Sequence, residues 1–365
     1  MIYMDYAATS PLCEAAKKTI IEHIDDFGNP SSSHELGIQA RVLIENARER
    51  IARCINADPS EIYFTSGGSE ANTLALNNRW YSASSKFEHH SIVSNWPKIS
   101  ITKDGFIKTH KLNNMLSERW DTLFDVMSCM YVNNEIGTIQ PIKELSAVAH
   151  KYGILLHTDA VQAMPYIHID VKELGCGMLS ASGHKFGAPK GAGFLYANAR
   201  SRIKPMINGG KQENGIRPGT ENVLGIISMA AALEDTVEHM DERNEYVKTL
   251  RDNLLDKLLK IDGAHINGSL ENRIPGNINI RFDGISGASL VSLCSLYGVY
   301  ISAGSACSEG IPTPSHVLKA IGLSDEEALS SVRITLGHQN TEEDISMAAN
   351  IITALVKRIR EDNDF

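Results

Sequence analysis

The segment Phe64-Thr65-Ser66-Gly67-Gly68-Ser69-Glu70-Ala71-Asn72 ends an apolar run with two glycines and a hydroxyl residue that opens a helical pattern. Free amides at a helix start, on the positive end of the helix dipole, cradle an anion. The spacing is neither Gly-x-Gly-x-x-Gly nor a Walker sequence ending in Gly-Lys-Ser/Thr, which disfavours dinucleotides and nucleoside triphosphates. Taken alone, an N-capped helix after a turn explains it equally well. Further along, His157-Thr158-Asp159-Ala160-Val161-Gln162 follows the apolar run 154–156. An Asp leaving the carboxyl end of a parallel strand lies at the floor of an open-sheet site, where it holds a protonated ring nitrogen. The same Asp is equally placed to cap the next helix. A metal centre on His157 and Asp159 is the weaker reading, because no third ligand is near in sequence.

The third segment, Ser180-Ala181-Ser182-Gly183-His184-Lys185-Phe186-Gly187, sets Lys185 among small, hydroxyl and imidazole residues between two apolar runs. A solvated loop lysine is the ordinary case. Buried beside an anion site, the same amine loses basicity and becomes a Schiff-base nucleophile. An anion cradle, a ring-nitrogen acceptor and such a lysine together meet the needs of pyridoxal phosphate: an anchored phosphate, a paired pyridinium and an amine that captures the aldehyde. A fourth segment adds a nucleophile. Cys307 lies in Gly304-Ser305-Ala306-Cys307-Ser308-Glu309-Gly310, with small residues on both sides, which suits a thiol on a loop that reaches a substrate. The other five cysteines (13, 54, 129, 176 and 294) form no Cys-x-x-Cys and read as small buried hydrophobes.

These segments need a scaffold, and the chain is long enough for one. Its 365 residues carry 35 Lys plus Arg against 44 Asp plus Glu, a formal charge of −9. That balance argues against a duplex nucleic-acid footprint, which requires a basic face. No apolar run approaches the ~20 residues of a membrane span, and no secretion signal opens the sequence, so a cytoplasmic protein without a membrane partner is expected. From about 60 to 200, short apolar runs (62–64, 126–132, 154–157, 178–180 and 193–196) alternate with helical patterns. Such runs read as strands buried on both faces of a mostly parallel sheet, an α/β arrangement flanked by helices. An apolar stripe then predicts one long helix over roughly 223–258. The alternation Asn277-Ile278-Asn279-Ile280-Arg281-Phe282 predicts a half-exposed strand in a smaller α+β domain. The expected division is a large domain over 12–235 and a small one formed by 1–11 with 236–365, carrying the Cys307 loop.

Several motifs together resemble the NifS/IscS-like cysteine desulfurases, fold-type I pyridoxal-phosphate enzymes of the class V aminotransferase family. They are Tyr3-Met4-Asp5-Tyr6-Ala7-Ala8-Thr9, Gly28-Asn29-Pro30-Ser31-Ser32-Ser33-His34, Glu88-His89-His90, Asn133-Asn134-Glu135-Ile136-Gly137, Ser182-Gly183-His184-Lys185, Gly215-Ile216-Arg217-Pro218-Gly219-Thr220-Glu221-Asn222 and Ser302-Ala303-Gly304-Ser305-Ala306-Cys307. The resemblance implies that Lys185 holds the cofactor as a Schiff base, Asp159 pairs with the ring nitrogen, Gln162 meets the phenolic oxygen and His89 stacks on the ring. It assigns the phosphate to Gly68, Ser69, Ser182 and His184, joined by Thr220 from the second subunit of a homodimer. Asn134 and Arg333 take the substrate carboxylate, a task suited to the planar guanidinium fork.

The implied reaction converts L-cysteine to L-alanine. Lys185 moves the Cα proton, His89 donates or accepts a proton, and the Cys307 thiolate takes the sulfur as a persulfide. From there the sulfur goes to an acceptor protein, for iron–sulfur cluster assembly or tRNA thiolation. No metal is expected, Cys307 being open only to transient iron–sulfur ligation. The resemblance has departures: Gly68-Ser69 stands where the family commonly has Ala-Thr, and Lys211 where it has glycine. The chain ends at Arg360-Glu361-Asp362-Asn363-Asp364-Phe365, without the extension that housekeeping IscS-type members use to dock an iron–sulfur scaffold, a departure that bears on that particular partner and not on the chemistry. The competing activities are selenocysteine cleavage and class V transamination; the non-enzymatic competitor is a sulfur-carrier or assembly subunit that keeps the fold.

Overall fold

The computed structural model describes residues 1–77, 79, 81–92, 96–118, 124–303 and 313–363. Cys307 lies outside them. After a short first strand, β1 (Ile2–Tyr3), come the helices α1 (Glu14–His23) and α2 (Glu35–Cys54). An alternation of strands and helices follows: β2 (Ile62–Thr65), α3 (Gly68–Leu76), β3 (Ser82–Ser85), β4 (Lys98–Ile99), α4 (Thr109–Glu118), β5 (Val126–Ser128), α5 (Ile142–Lys151), β6 (Leu155–Asp159), α6 (Val171–Leu174), β7 (Met178–Ser182) and β8 (Gly193–Ala197). The strands form one seven-stranded sheet in the order β2-β8-β7-β6-β5-β3-β4. Only β8 runs against the others, pairing antiparallel with both β2 and β7. β5, β6 and β7 are buried at nearly every position, as expected of parallel strands covered on both faces.

Beyond the sheet, α7 (Val223–Glu238) and α8 (Met240–Leu258) stand where the apolar stripe predicted one helix. His239, at φ −108° and ψ 12°, ends one and begins the other. The stripe is continuous, but its two halves serve different cores. α7 packs on α1 and α2 against the large sheet, whereas α8 packs on β10 (Asn277–Phe282) and the last helix, so the chain must turn between them.

The remaining elements are β9 (Ala264–Ile266), α9 (Gly287–Leu296), β11 (Val299–Tyr300), β12 (Ser302–Ala303), α10 (His316–Ala320), α11 (Asp325–Leu329), β13 (Ser331–Thr335) and α12 (Glu342–Asn363). They build a four-stranded antiparallel sheet in the order β12-β13-β10-β9, over a second core of Ile278, Ile280, Phe282, Leu254, Ile352 and neighbours. The half-exposed strand expected at 277–282 is instead buried. Its polar positions carry amides that need partners, and Asn277 and Asn279 both donate from Nδ2 to the Glu135 carbonyl, 3.1 and 3.2 Å away. Alternation of polar and apolar residues here marks a strand between two layers, not one facing water. β1 pairs with β11, and Met4 enters the second core, so the N-terminus crosses to this side. Among the described residues, no helix is long and apolar enough to cross a membrane.

Candidate active site

Because β2, β5, β6 and β7 run the same way, the turns that leave them open on one edge of the large sheet, where ligands of open α/β sheets sit. A cavity of about 320 Å³ lies there. It is lined by Gly68, Ser69, His89, Asn134, Asp159, Gln162, Ser182, His184, Lys185 and Arg333, nearly the whole expected set, together with Ala7, Ala8, Asn72, Met130 and Val161.

At the start of α3, Gly68 comes so close to the next turn that a Cβ would lie 2.7 Å from Val161 Cγ2. A side chain at this position would require the Val161 side chain to shift. Asp159, the last residue of β6, is 1% exposed. Its Oδ2 accepts from Asn72 Nδ2 at 2.7 Å and its Oδ1 from the Val161 amide at 3.0 Å. Asp159 thus lies on the cavity floor, and the helix it was expected to cap is instead a turn over 161–166, whose first amide donates to it. Burial raises its affinity for a proton, against the hydrogen bonds and the nearby His89 and Lys185.

Lys185 leaves the end of β7 half-buried and donates from Nζ to the carbonyls of Ala7 (2.6 Å) and Ala8 (2.7 Å). Those carbonyls arrive because a turn over 6–8, entered through the Asp5–Thr335 bridge, is stitched to β13: the Ala7 amide donates to Thr335 Oγ1 and the Tyr6 amide to the Thr335 carbonyl. Gln162 Nε2 donates to the same Ala7 carbonyl at 2.8 Å. Burial, and then the Arg333 charge, bring the Lys185 amine down to about 8. Burial and the Lys185 charge take His184 down to about 4, so it is a neutral imidazole at neutral pH. The His89 ring, held by Ser91 Oγ at 2.8 Å, is also lowered by burial.

Arg333 reaches the cavity from the other sheet. It lies in β13, 7% exposed, with Nη2 on Asp5 Oδ1 at 2.8 Å and Nη1 on the Asn134 carbonyl at 3.0 Å. Its Nε is buried without a hydrogen-bond partner among the described residues. Thr220 is not brought to the cavity. It is exposed and lines a separate recess beside Arg217 and Glu213. His157 carries no ligand role in this geometry: it is fully buried between Ser128 and Ser180, and burial takes it down to about 3.

Sequence reasoning missed Asn72, Asp5 and the Ala7 and Ala8 carbonyls. Asn72 had a signal, since it lies one helical turn beyond Ser69 and shares its face. Asp5 had none, being 328 positions from its partner Arg333.

Taken together, the cavity offers amides and a hydroxyl for an anion, a buried carboxylate for a cationic nitrogen, an amine of reduced basicity and a guanidinium for a carboxylate. The aminotransferase class-V family matches residues 2–347. The chain belongs to that family. Within this class-V family, the cysteine desulfurase IscS of Dictyoglomus turgidum is 41% identical over 98% of this chain and 95% of its own. The solved NifS-like protein of Rickettsia africae superposes with a TM-score of 0.89 at 33% identity, over 98% of this chain and all of that one (100%). SspA, solved in complex with cysteine, has a TM-score of 0.78 at 32% identity, over 93% of this chain and 100% of its own. The expected NifS/IscS-like membership and the expected fold-type I architecture are both borne out.

Proposed function

We propose that this class-V chain is a pyridoxal-phosphate-dependent cysteine desulfurase that converts L-cysteine to L-alanine and takes the sulfur on Cys307. The observation that carries the reading is the meeting, in one cavity, of Lys185, the Asn72-held Asp159 carboxylate and Arg333. The names of the IscS relatives and the cysteine bound to SspA agree with it.

The residues present fit the cofactor. Gly68 and Ser69 bring the start of α3 to the cavity wall, Asp159 is a buried carboxylate with no ion pair among the described residues, and Lys185 supplies an amine lowered to about 8. Gly68, Ser69, Ser182 and His184 would hold the phosphate, Gln162 the phenolic oxygen and His89 the ring face. When bound, pyridoxal phosphate supplies a sink for the electron pair released at the substrate Cα.

The chain's own groups do the rest. Arg333, with Asn134 beside it, orients the substrate carboxylate. Its fork is already fixed by Asp5, so little entropy is lost on binding. Asp159 holds the proton at the ring nitrogen. Lys185, partly unprotonated at neutral pH, takes the Cα proton at Nζ. The Cys307 thiolate attacks the substrate Sγ: the new S–S bond forms as Cβ–Sγ breaks, the pair stays on the carbon skeleton, and protons at Cβ and Cα complete alanine. His89 handles a proton at that stage.

Thr220 faces solvent in a separate recess, which supports its donation to the cavity of a second copy in a homodimer. The large unit over 12–235 and the small unit of 1–11 with 236–365 belong to the same reading. They are supported by two distinct apolar cores and by the crossing of β1 to the second. The persulfide would pass, in the cytoplasm, to an acceptor protein of iron–sulfur assembly or tRNA thiolation.

The test is alanine and sulfide release from L-cysteine by the yellow holoprotein with a thiol reductant. Cys307→Ala is expected to keep the cofactor absorbance and lose about 10³-fold or more in rate. Unchanged alanine formation in that variant would sink the role of Cys307 and favour the selenocysteine-cleavage reading, whereas a keto acid formed in place of alanine would favour transamination. A colourless wild-type protein would favour the carrier reading.

A further inference from the structure

Beneath the cavity floor runs a polar chain that the reaction as described leaves unused. Glu88 is 0% exposed. Its Oε1 accepts from the Met130 amide at 2.8 Å and from the Ser85 hydroxyl, and its Oε2 lies 3.4 Å from Ser128 Oγ. Ser128 Oγ is 2.9 Å from His157 Nδ1, and His157 Nε2 is 3.0 Å from Ser180 Oγ. Ser128, His157 and Ser180 lie on the neighbouring strands β5, β6 and β7, and Glu88 follows β3, so the chain crosses the sheet. Each end touches the site. Glu88 precedes His89 and holds Met130, which lines the cavity, and Ser180 is in register with Asp159.

We propose that Glu88 is a positioning residue of this site, whose protonated form orders the Ser128–His157–Ser180 chain and leaves Asp159 as the ionised carboxylate of the floor. This rests on the desulfurase reading only where activity is measured.

Proton counting defines two states. His157 is neutral, so one of its ring nitrogens donates and the other accepts. With Glu88 protonated, Oε2–H donates to Ser128, Ser128 to His157 Nδ1, and His157 Nε2–H to Ser180. With Glu88 ionised, every bond reverses and His157 changes tautomer; both arrangements satisfy every group, so the surroundings of the Glu88 carboxyl decide between them. The surroundings favour the first state. The charged or titratable groups around Glu88 are Asp159 and His157 from β6, Cys129 beyond β5, Lys98 from β4, which is committed to Ser84, and the neighbouring His89. His316, at the start of α10, donates to the Glu88 backbone carbonyl, not to its side chain. No ion pair reaches the Glu88 carboxyl among the described residues, and burial with the Asp159 charge raises it to about 7. An ionised Glu88 would drive onto Asp159 the proton that Asp159 must leave on its partner.

Glu88→Gln is the decisive variant, because its amide accepts from Met130 at Oε1 and donates to Ser128 at Nε2 as the protonated acid does. In the holoenzyme this variant should keep kcat within about 3-fold, whereas Glu88→Ala, which leaves the Met130 amide unpaired, should fall well below it. Wild-type kcat should decline as pH rises through the Glu88 titration, and the Glu88→Gln profile should lack that decline. Infrared difference spectra of the two proteins at pH 6 should show a protonated-carboxyl band in the wild type alone. Absence of that band, superimposed pH profiles, or a Glu88→Gln loss as large as that of Glu88→Ala would each overturn the proposal. The infrared result stands apart from turnover, so a wild type that makes no alanine would fail the desulfurase reading without touching this one.

Discussion

The two sheets contribute to the cavity in opposite ways. The seven-stranded sheet offers one edge, where successive strand ends place Gly68, Asp159, Ser182 and Lys185 side by side; most of its site is made of short, contiguous segments. The four-stranded sheet offers a single side chain from the middle of a buried strand, Arg333, which Asp5 and Asn134 hold in the same space. A parallel sheet builds a site out of its topology, while the small sheet must build its part from one long-range ion pair.

That contrast is tested first where a single side chain carries the most. Arg333→Lys replaces a fork with a point charge. It should raise the KM for L-cysteine about 10- to 100-fold, while cofactor absorbance, which depends on the other sheet, stays unchanged. Equal losses of cofactor and of substrate affinity would erase the division between the sheets. A smaller effect is expected on the opposite side. Asn72→Leu removes a donor from buried Asp159 and should weaken retention of pyridoxal phosphate about 10-fold, read by dialysis against absorbance, with KM little changed; an unchanged retention would mean the Asn72 bond does not hold Asp159 in place.

The smallest effects concern stability against pH. Folded Glu88 is raised to about 7 from an ordinary 4.5, so between those values the native state binds a proton that the unfolded chain has released. Its contribution therefore falls as pH rises through that window. His157 has the opposite sign. Lowered to about 3 from 6.5, it costs stability as pH falls below 6.5. The urea midpoint of Glu88→Gln should therefore gain on that of the wild type as pH rises from 5 to 8, since the histidines and buried Glu135, held by Ser315 at 2.5 Å and raised to about 7 as well, are common to both proteins. Identical slopes would show that Glu88 is ionised throughout.

Much of this was legible in the residues. The alternation of short apolar runs with helical patterns announced a mostly parallel sheet, and three loop segments announced an anion cradle, a floor carboxylate and a lysine. Each of those motifs is local, so spacing along the chain survives as spacing in space. The failures share a cause as well. The stripe over 223–258 looks like one helix because periodicity records which face is apolar, not which core that face meets; His239 breaks it where one core gives way to the other. Asn277 and Asn279 look solvent-facing because an amide that bonds the Glu135 carbonyl across a layer has the same side chain as one that bonds water.

By itself, then, the sequence determined the class of fold, the order of the loops and most of the side chains that line the cavity, since all three follow from short-range pattern and side-chain chemistry. Tertiary structure alone decided that Asp5 would fix Arg333, that Ala7 and Ala8 would receive Lys185, and that Glu88 and His157 would share a dry chain of hydroxyls. Those outcomes depend on burial and on contacts between residues far apart in the chain, and it is burial that gives a carboxyl, an amine or an imidazole the proton affinity on which its work depends.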